Sequence, residues 1–213
     1  MRVYKLTDSG MQTKNQTQWG SGVMHEVQGD LALCGNGIHA HSHPLVAVYM
    51  NPIHAEYQYP KLFVAEGTGN MLNDGTKLCF QRLKTIREIS VPQISTEQRI
   101  EVAIRLVLGL RGLPRDYRKW AKNWLNGTDR AAARAAYAAA YAADDAAVYA
   151  DAARADAARA DAARAARAAR AARADAADAA ARAADAAARA AADDVEAFNR
   201  RLVRILRRVC IEH

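Results

Sequence analysis

The segment Gly37-Ile38-His39-Ala40-His41-Ser42-His43-Pro44 carries a histidine at every second position. In an extended chain, side chains two apart share a face, so His39, His41 and His43 converge if this segment is a strand. Imidazoles at that spacing can share a zinc or nickel ion, or they can line a pocket for an organic ligand. A structural zinc needs four ligands, and a catalytic zinc needs partners that orient its histidines. His25 and His54 are the further candidates, and no Cys or carboxylate recurs at a fitting interval around them. A metal on His39, His41 and His43 therefore ranks second to a strand end that is uninvolved or faces a ligand, and no cofactor is fixed by a metal motif.

The elements that must position this segment are short. Val3, Tyr4, Lys5 and Leu6 suit an opening strand, closed by the turn residues Asp8-Ser9-Gly10. Residues 11–22 form a polar loop whose one aromatic, Trp19, either covers a pocket or lies on the surface; the surface position is the commoner one. "VMHEV" and "LALC" read as strands, and "LVAVYM" reads as a helix ending before Asn51-Pro52. "KLFVAEGTG" and "KLCFQRLKTIREISV" read as core strands, with Lys84, Arg87 and Glu88 on the wet side. Ser95-Thr96-Glu97-Gln98 is a capping box, and Ile100, Ala103, Ile104, Val107 and Leu108 follow at helical spacing. This helix is expected to close the first domain against its sheet and to stop between Gly109 and Pro114.

Gly35-Asn36-Gly37-Ile38-His39-Ala40, with Ser42, Ala47 and Tyr49 after it, resembles a stretch of the poly(ADP-ribose) polymerase type of ADP-ribosyltransferase fold. Residues 62–73, "LFVAEGTGNMLN", are similar to the strand and Gly-Asn-Met turn that follow there. The resemblance covers residues 33–73 and implies a pocket for NAD or an ADP-ribose-like ligand. It places Gly37, Ile38, His39, Ser42 and Tyr49 around that ligand, with Tyr4 and Lys5 where the family's first strand carries its histidine and Lys5 toward a phosphate or ribose. His39 stands where the family has a tyrosine, and its catalytic glutamate has no counterpart beyond the distant Glu88. The resemblance therefore implies binding before catalysis; the alternatives are ADP-ribosyl transfer and a structural or oligomeric interaction protein without a ligand. Residues 1–110 also resemble small phage and prophage domains through Val3-Tyr4-Lys5, residues 33–40 and the strands from Lys77 to Val91. That likeness implies a source rather than an activity, with a host cytoplasm as the location, and sequestration of a defence nucleotide is a hypothesis built on that source.

The composition changes at Thr128. Residues 131–192 hold 41 alanines in 62 positions, with Arg and Asp supplying nearly all the rest. Alanine has the highest helix propensity, and Gly and Pro are absent from residues 128–213, so this half is expected to be helical. Small methyl groups bury little area each, so such helices gain by folding into a hairpin or bundle, or by assembling with copies of the chain. Trp120 and Trp124 share one helical face and are expected to anchor it, with Asn126-Gly127 as the stop. Phe198, Leu202, Ile205, Leu206 and Val209 form an apolar stripe, and Arg200, Arg201, Arg204, Arg207 and Arg208 are expected on a solvated face.

The formal charge of +7 is too dispersed to mark a nucleic-acid surface. Cys34, Cys79 and Cys210 form no C-x-x-C pair, which suits reduced thiols in the cytoplasm. No apolar run reaches the ~18–20 residues of a membrane span, and the N-terminus lacks a signal-peptide core. The expected architecture is α+β: an ADP-ribosyltransferase-like mixed sheet domain over 1–113, a Trp-containing connecting helix over 114–127, and an all-α alanine-rich domain over 128–213. The expected partners are a small nucleotide and further copies of the chain, with no membrane and no nucleic acid.

Overall fold

A computed structural model of the protein describes residues 1–14, 16–33, 35–110, 113, 115–128, 182–183 and 195–211. The chain is mixed α and β and divides into two compact units, Met1–Gln93 and Ile94–His213. The alanine-rich run expected to be helical lies almost wholly outside the described residues. Among the described residues no helix is long and apolar enough to cross a membrane.

The first unit is built on five antiparallel strands: β1 (Arg2–Thr7), β2 (Met24–Glu26), β3 (Ile38–Ala40), β4 (Lys61–Asn73) and β5 (Leu78–Ile89). Strand β4 lies between β1 and β5, and β5 continues the sheet by pairing with β2 at one end and β3 at the other. Just past β3, Tyr4 and His41 exchange backbone hydrogen bonds of 2.8 and 2.9 Å, which draws β1 and β3 together. Alternation along β1 sends Val3 inward to Ile38, Ala40, Ala65, Phe80 and Leu83, all buried. Lys5 follows Val3 on the same side of the strand and is therefore carried into the interior.

Helices α1 (Pro44–Tyr49) and α2 (Asn51–His54) follow β3. Pro44 begins α1 where a missing amide costs nothing, and the His43 side chain accepts from the Leu45 amide at 3.2 Å as its cap. The five residues after Pro44 are buried.

Two sequence expectations fail in this unit. Residues 31–33 of "LALC" are not a strand, and Cys34 lies outside the described residues. Their course is set by Asn36, whose amide donates to the carbonyls of Gln28 and Asp30 at 2.7 and 3.0 Å. Gly69-Asn70-Met71 is not a turn: β4 runs through it, and the register against β5 slips there by one residue, with Gly69 at φ +80. A glycine in a left-handed conformation is the ordinary way to place a bulge inside a strand pair. The turn itself is Asn73–Lys77, where Asp74 Oδ1 accepts from the amides of Thr76 and Lys77 at 2.9 and 2.7 Å.

The second unit contains α3 (Thr96–Val107), α4 (Arg115–Leu125) and α5 (Val195–Cys210). The capping box forms as expected, with Ser95 and Gln98 bonded reciprocally at 2.9 and 3.1 Å. Helix α3 packs on α5 within the second unit; its periodicity shows that it has an apolar partner without showing which one. Phe198, Leu202, Leu206 and Val209 are buried as the stripe predicts, while Arg200, Arg204, Arg207 and Arg208 are exposed. Arg201 leaves that set, is half-buried, and donates to the Arg105 carbonyl at 3.0 Å. Trp124 is buried, and Gly127, at φ +83, ends α4 by donating to the Trp124 carbonyl.

Candidate pocket in the sheet unit

The interior lysine opens into a cavity of about 570 Å³ that lies wholly within the first unit. Lys5 reaches it from β1, His25 and Glu26 from β2, and His39 from β3. His41, His54, Tyr57 and Lys77 line it from the segments around α1, α2 and the β4–β5 turn, and Lys14 and Trp19 from the loop after β1. Trp19 is 3% exposed and belongs to the core, which corrects the surface position expected for it. Its indole donates to Thr13 Oγ1 at 3.3 Å, and the His25 ring stands edge-on to it at 4.5 Å. The polar loop is thus folded over the pocket. Asp8 accepts from the Gln12 amide at 2.7 Å and helps hold that fold.

Lys5 is 7% exposed, its Nζ donates to the His39 carbonyl at 2.8 Å, and it lies 4.7 Å from the centre of the Trp19 ring. Among the described residues no carboxylate comes within ion-pair distance of it. Burial lowers its pKa from 10.5 to about 8, against a smaller opposing effect of Cys79. Burial also makes the pocket histidines poor bases. His39 is lowered to about 4 by burial and by the charges of Lys77 and Lys5. His41 is lowered to about 4 by burial, in spite of its bond to Thr76. His54 is lowered to about 3 by burial and by its neighbour His41, whose ring stacks on it at 5.5 Å. All three imidazoles are neutral at pH 7.

Hydrogen bonding fixes the proton on two of them. His41 Nδ1 lies 2.9 Å from the Thr76 carbonyl, which can only accept, so Nδ1 carries the proton. The Thr76 hydroxyl donates to Asp74 at 2.8 Å and therefore accepts at its 3.5 Å contact with His54 Nε2. His54 is then protonated on Nε2, and its buried Nδ1, which has no protein partner, is a bare acceptor. Among the described residues His39 Nε2 is also buried without a hydrogen-bond partner. For Asp74, burial opposes ionisation. The amides of Lys77 and Thr76, the Thr76 hydroxyl and the Lys77 charge outweigh it, so the carboxyl stays below its usual range.

Of the residues expected around a ligand, Lys5, Gly37, Ile38 and His39 line the cavity, and Tyr4, Ser42 and Tyr49 do not. Tyr4 is half-buried on the other side of β1, beneath the Arg2 guanidinium at 5.9 Å. Tyr49 is wholly buried inside α1. The alternation of histidines holds for His39 and His41 and ends when the chain leaves the strand: His43 caps α1. Among the described residues no group of three or more His, Cys, Asp or Glu is gathered to hold a metal. Glu88 is outside the cavity, 3.8 Å from Lys61.

Gly37 serves packing. It sits at φ +147, and a Cβ there would lie 2.0 Å from the sulfur of Cys79. Gly37→Ala is expected to destabilise the protein by about 3 kcal/mol through backbone strain and overpacking. Urea denaturation measures this, and adding Cys79→Ala should restore the steric part.

Lys77 and Tyr57 were not singled out from the sequence. Asn73-Asp74-Gly75-Thr76 between two apolar runs is a hairpin signal that would have drawn attention to Lys77. Tyr57 is placed by Asn51, whose side chain bonds both its amide and its carbonyl, a contact no local pattern announces.

Residues 1–97 match the family model described as a domain of unknown function (DUF7666). The matched segment contains all five strands and every residue lining the pocket, and it ends in the first turn of α3. No curated protein and no solved structure matches the chain.

Proposed function

We propose that the DUF7666 segment binds a small anionic ligand of the nucleotide type, with NAD and ADP-ribose as the forms implied by the sequence resemblance. The observation that carries this reading is the buried ammonium of Lys5, which faces a cavity and has no carboxylate beside it among the described residues. An unpaired buried charge is costly, and a bound anion compensates it. Lys14 and Lys77 add positive charge to the same cavity, where Glu26 is the carboxylate among the lining residues. The volume suits a small organic ligand, and Trp19 and Tyr57 supply flat surfaces for a ring.

Binding is favoured over ADP-ribosyl transfer because Glu26 is exposed, whereas stabilising a developing sugar cation calls for a carboxylate inside the site. On this reading the role is to hold a nucleotide, and the phage resemblance makes that sequestration.

The test is the melting temperature against ADP-ribose, NAD and inorganic phosphate. A ligand at a hundredfold excess over its Kd should add about 2.7 kcal/mol of stability. A rise with ADP-ribose that is absent in Lys5→Met supports the reading. No rise with any of the three at millimolar concentration would overturn it.

A further inference from the structure

Lys5 has a second property that charge compensation does not use. Lys77, also in the pocket, is paired with the Asp74 carboxylate at 3.7 Å. Lys5 has a carbonyl and the face of an indole instead, and neither opposes loss of its proton as a carboxylate would. His39, His41 and His54 line the same cavity as neutral imidazoles, and the Lys5 charge itself depresses His39 and His41, so they lie within its field. A buried amine without a carboxylate and with a cavity before it is set up for nucleophilic attack on a carbonyl carbon.

We propose that Lys5 captures the aldehyde group of an anionic ligand as a protonated imine, so that the pocket takes an anionic aldehyde such as an open-chain sugar phosphate. This rests on the anion-binding reading and names the ligand's reactive end. Lys5 gives one proton to solvent, and the freed lone pair forms a C–N bond while the carbonyl π pair moves to oxygen. That oxygen gains one proton from nitrogen and one back from solvent and leaves as water. Two of the three ammonium protons thus depart with the oxygen, and the third stays on the iminium nitrogen. No oxidant or reductant is consumed. The iminium keeps the positive charge of Lys5, so the attraction to the ligand's anionic group survives the reaction. The charged and titratable groups facing Lys5 are His39 and His41 from β3 and the residues after it, and Cys79 from β5.

The experiment incubates the whole protein with ribose 5-phosphate and sodium cyanoborohydride, which reduces any imine to a stable amine, and maps every lysine by peptide mass. Burial makes the neutral fraction of Lys5 far larger than that of an exposed lysine, so Lys5 should label at least about tenfold faster than the exposed Lys84 and Lys122. Inorganic phosphate should slow labelling at Lys5 and leave Lys84 unchanged, and Lys5→Arg should lose the fast adduct. Labelling of Lys84 and Lys122 as fast as Lys5 in the native protein overturns the proposal, whether or not the variant folds. The melting temperature with inorganic phosphate, read without reductant, separates the two claims. A rise with no Lys5 adduct sinks imine formation alone, and neither a rise nor an adduct sinks both.

Discussion

Between pH 6 and pH 4 the sheet unit is expected to unfold. His39, His41 and His54 have folded-state pKa values of about 4, 4 and 3, below the 6.5 of an unfolded histidine. In that window the unfolded chain binds protons that the folded chain refuses, so stability is complete above pH 6.5 and falls as the pH drops toward 4. His41 and His54 carry most of the effect. Part of the His54 shift is repulsion from His41 and is not counted twice, and His39 is discounted because water reaches it. Together they remove about 5 kcal/mol, which is comparable to the whole stability of a small domain. Asp74, held below its usual pKa, acts in the same direction at lower pH. Hydrogen exchange of the amides of Leu78–Ile89, followed by mass spectrometry, isolates this unit from the helices. His41→Asn, which keeps a donor for the Thr76 carbonyl, should flatten the loss by about 1.4 kcal/mol per pH unit over the window. Full protection of β5 at pH 4 would show that the imidazoles are better solvated than their burial implies.

How much of this the sequence revealed depended on how local each cause was. Strands β1, β4 and β5, helix α1, the Ser95 cap and the Phe198 stripe were all legible, because alternation, helical spacing and cap chemistry are written within a few residues. Residues 31–33 were misread as a strand because their path is fixed by the Asn36 amide and not by their own apolar pattern. The contact of α3 with α5 was not legible, since an amphipathic face does not name its partner. The pocket shows the same division. His39 and His41 follow from strand alternation, and Lys5 from its place in the first strand. His54, Tyr57 and Lys77 arrive from three later segments, and only the closure of β1 onto the end of β3, which itself pairs with β5, brings them to one cavity. The burial of Trp19 was unreadable for the same reason, since the loop that carries it is polar throughout.

Lys5→Met is expected to give a protein that is more stable at pH 7 and no longer responds to ADP-ribose. The folded-state pKa of Lys5 is about 8 against 10.5 in the unfolded chain, so keeping this ammonium buried costs about 3 kcal/mol at neutral pH. Methionine follows a similar path without the charge, and the loss of the 2.8 Å bond to the His39 carbonyl returns about 1 kcal/mol of that gain. The net expectation is a stabilisation of about 2 kcal/mol, read from urea denaturation. Its pH dependence identifies the cause. Between pH 8 and 10.5 the unfolded wild-type chain holds a proton that the folded chain has released, so wild-type stability rises through that window and the advantage of the variant shrinks. On the proposed reading, a bound anion would offset this desolvation cost. A variant less stable than wild type at pH 7 would instead make Lys5 a structural tie between β1, β3 and Trp19, and the pocket would lose its principal claim to a ligand.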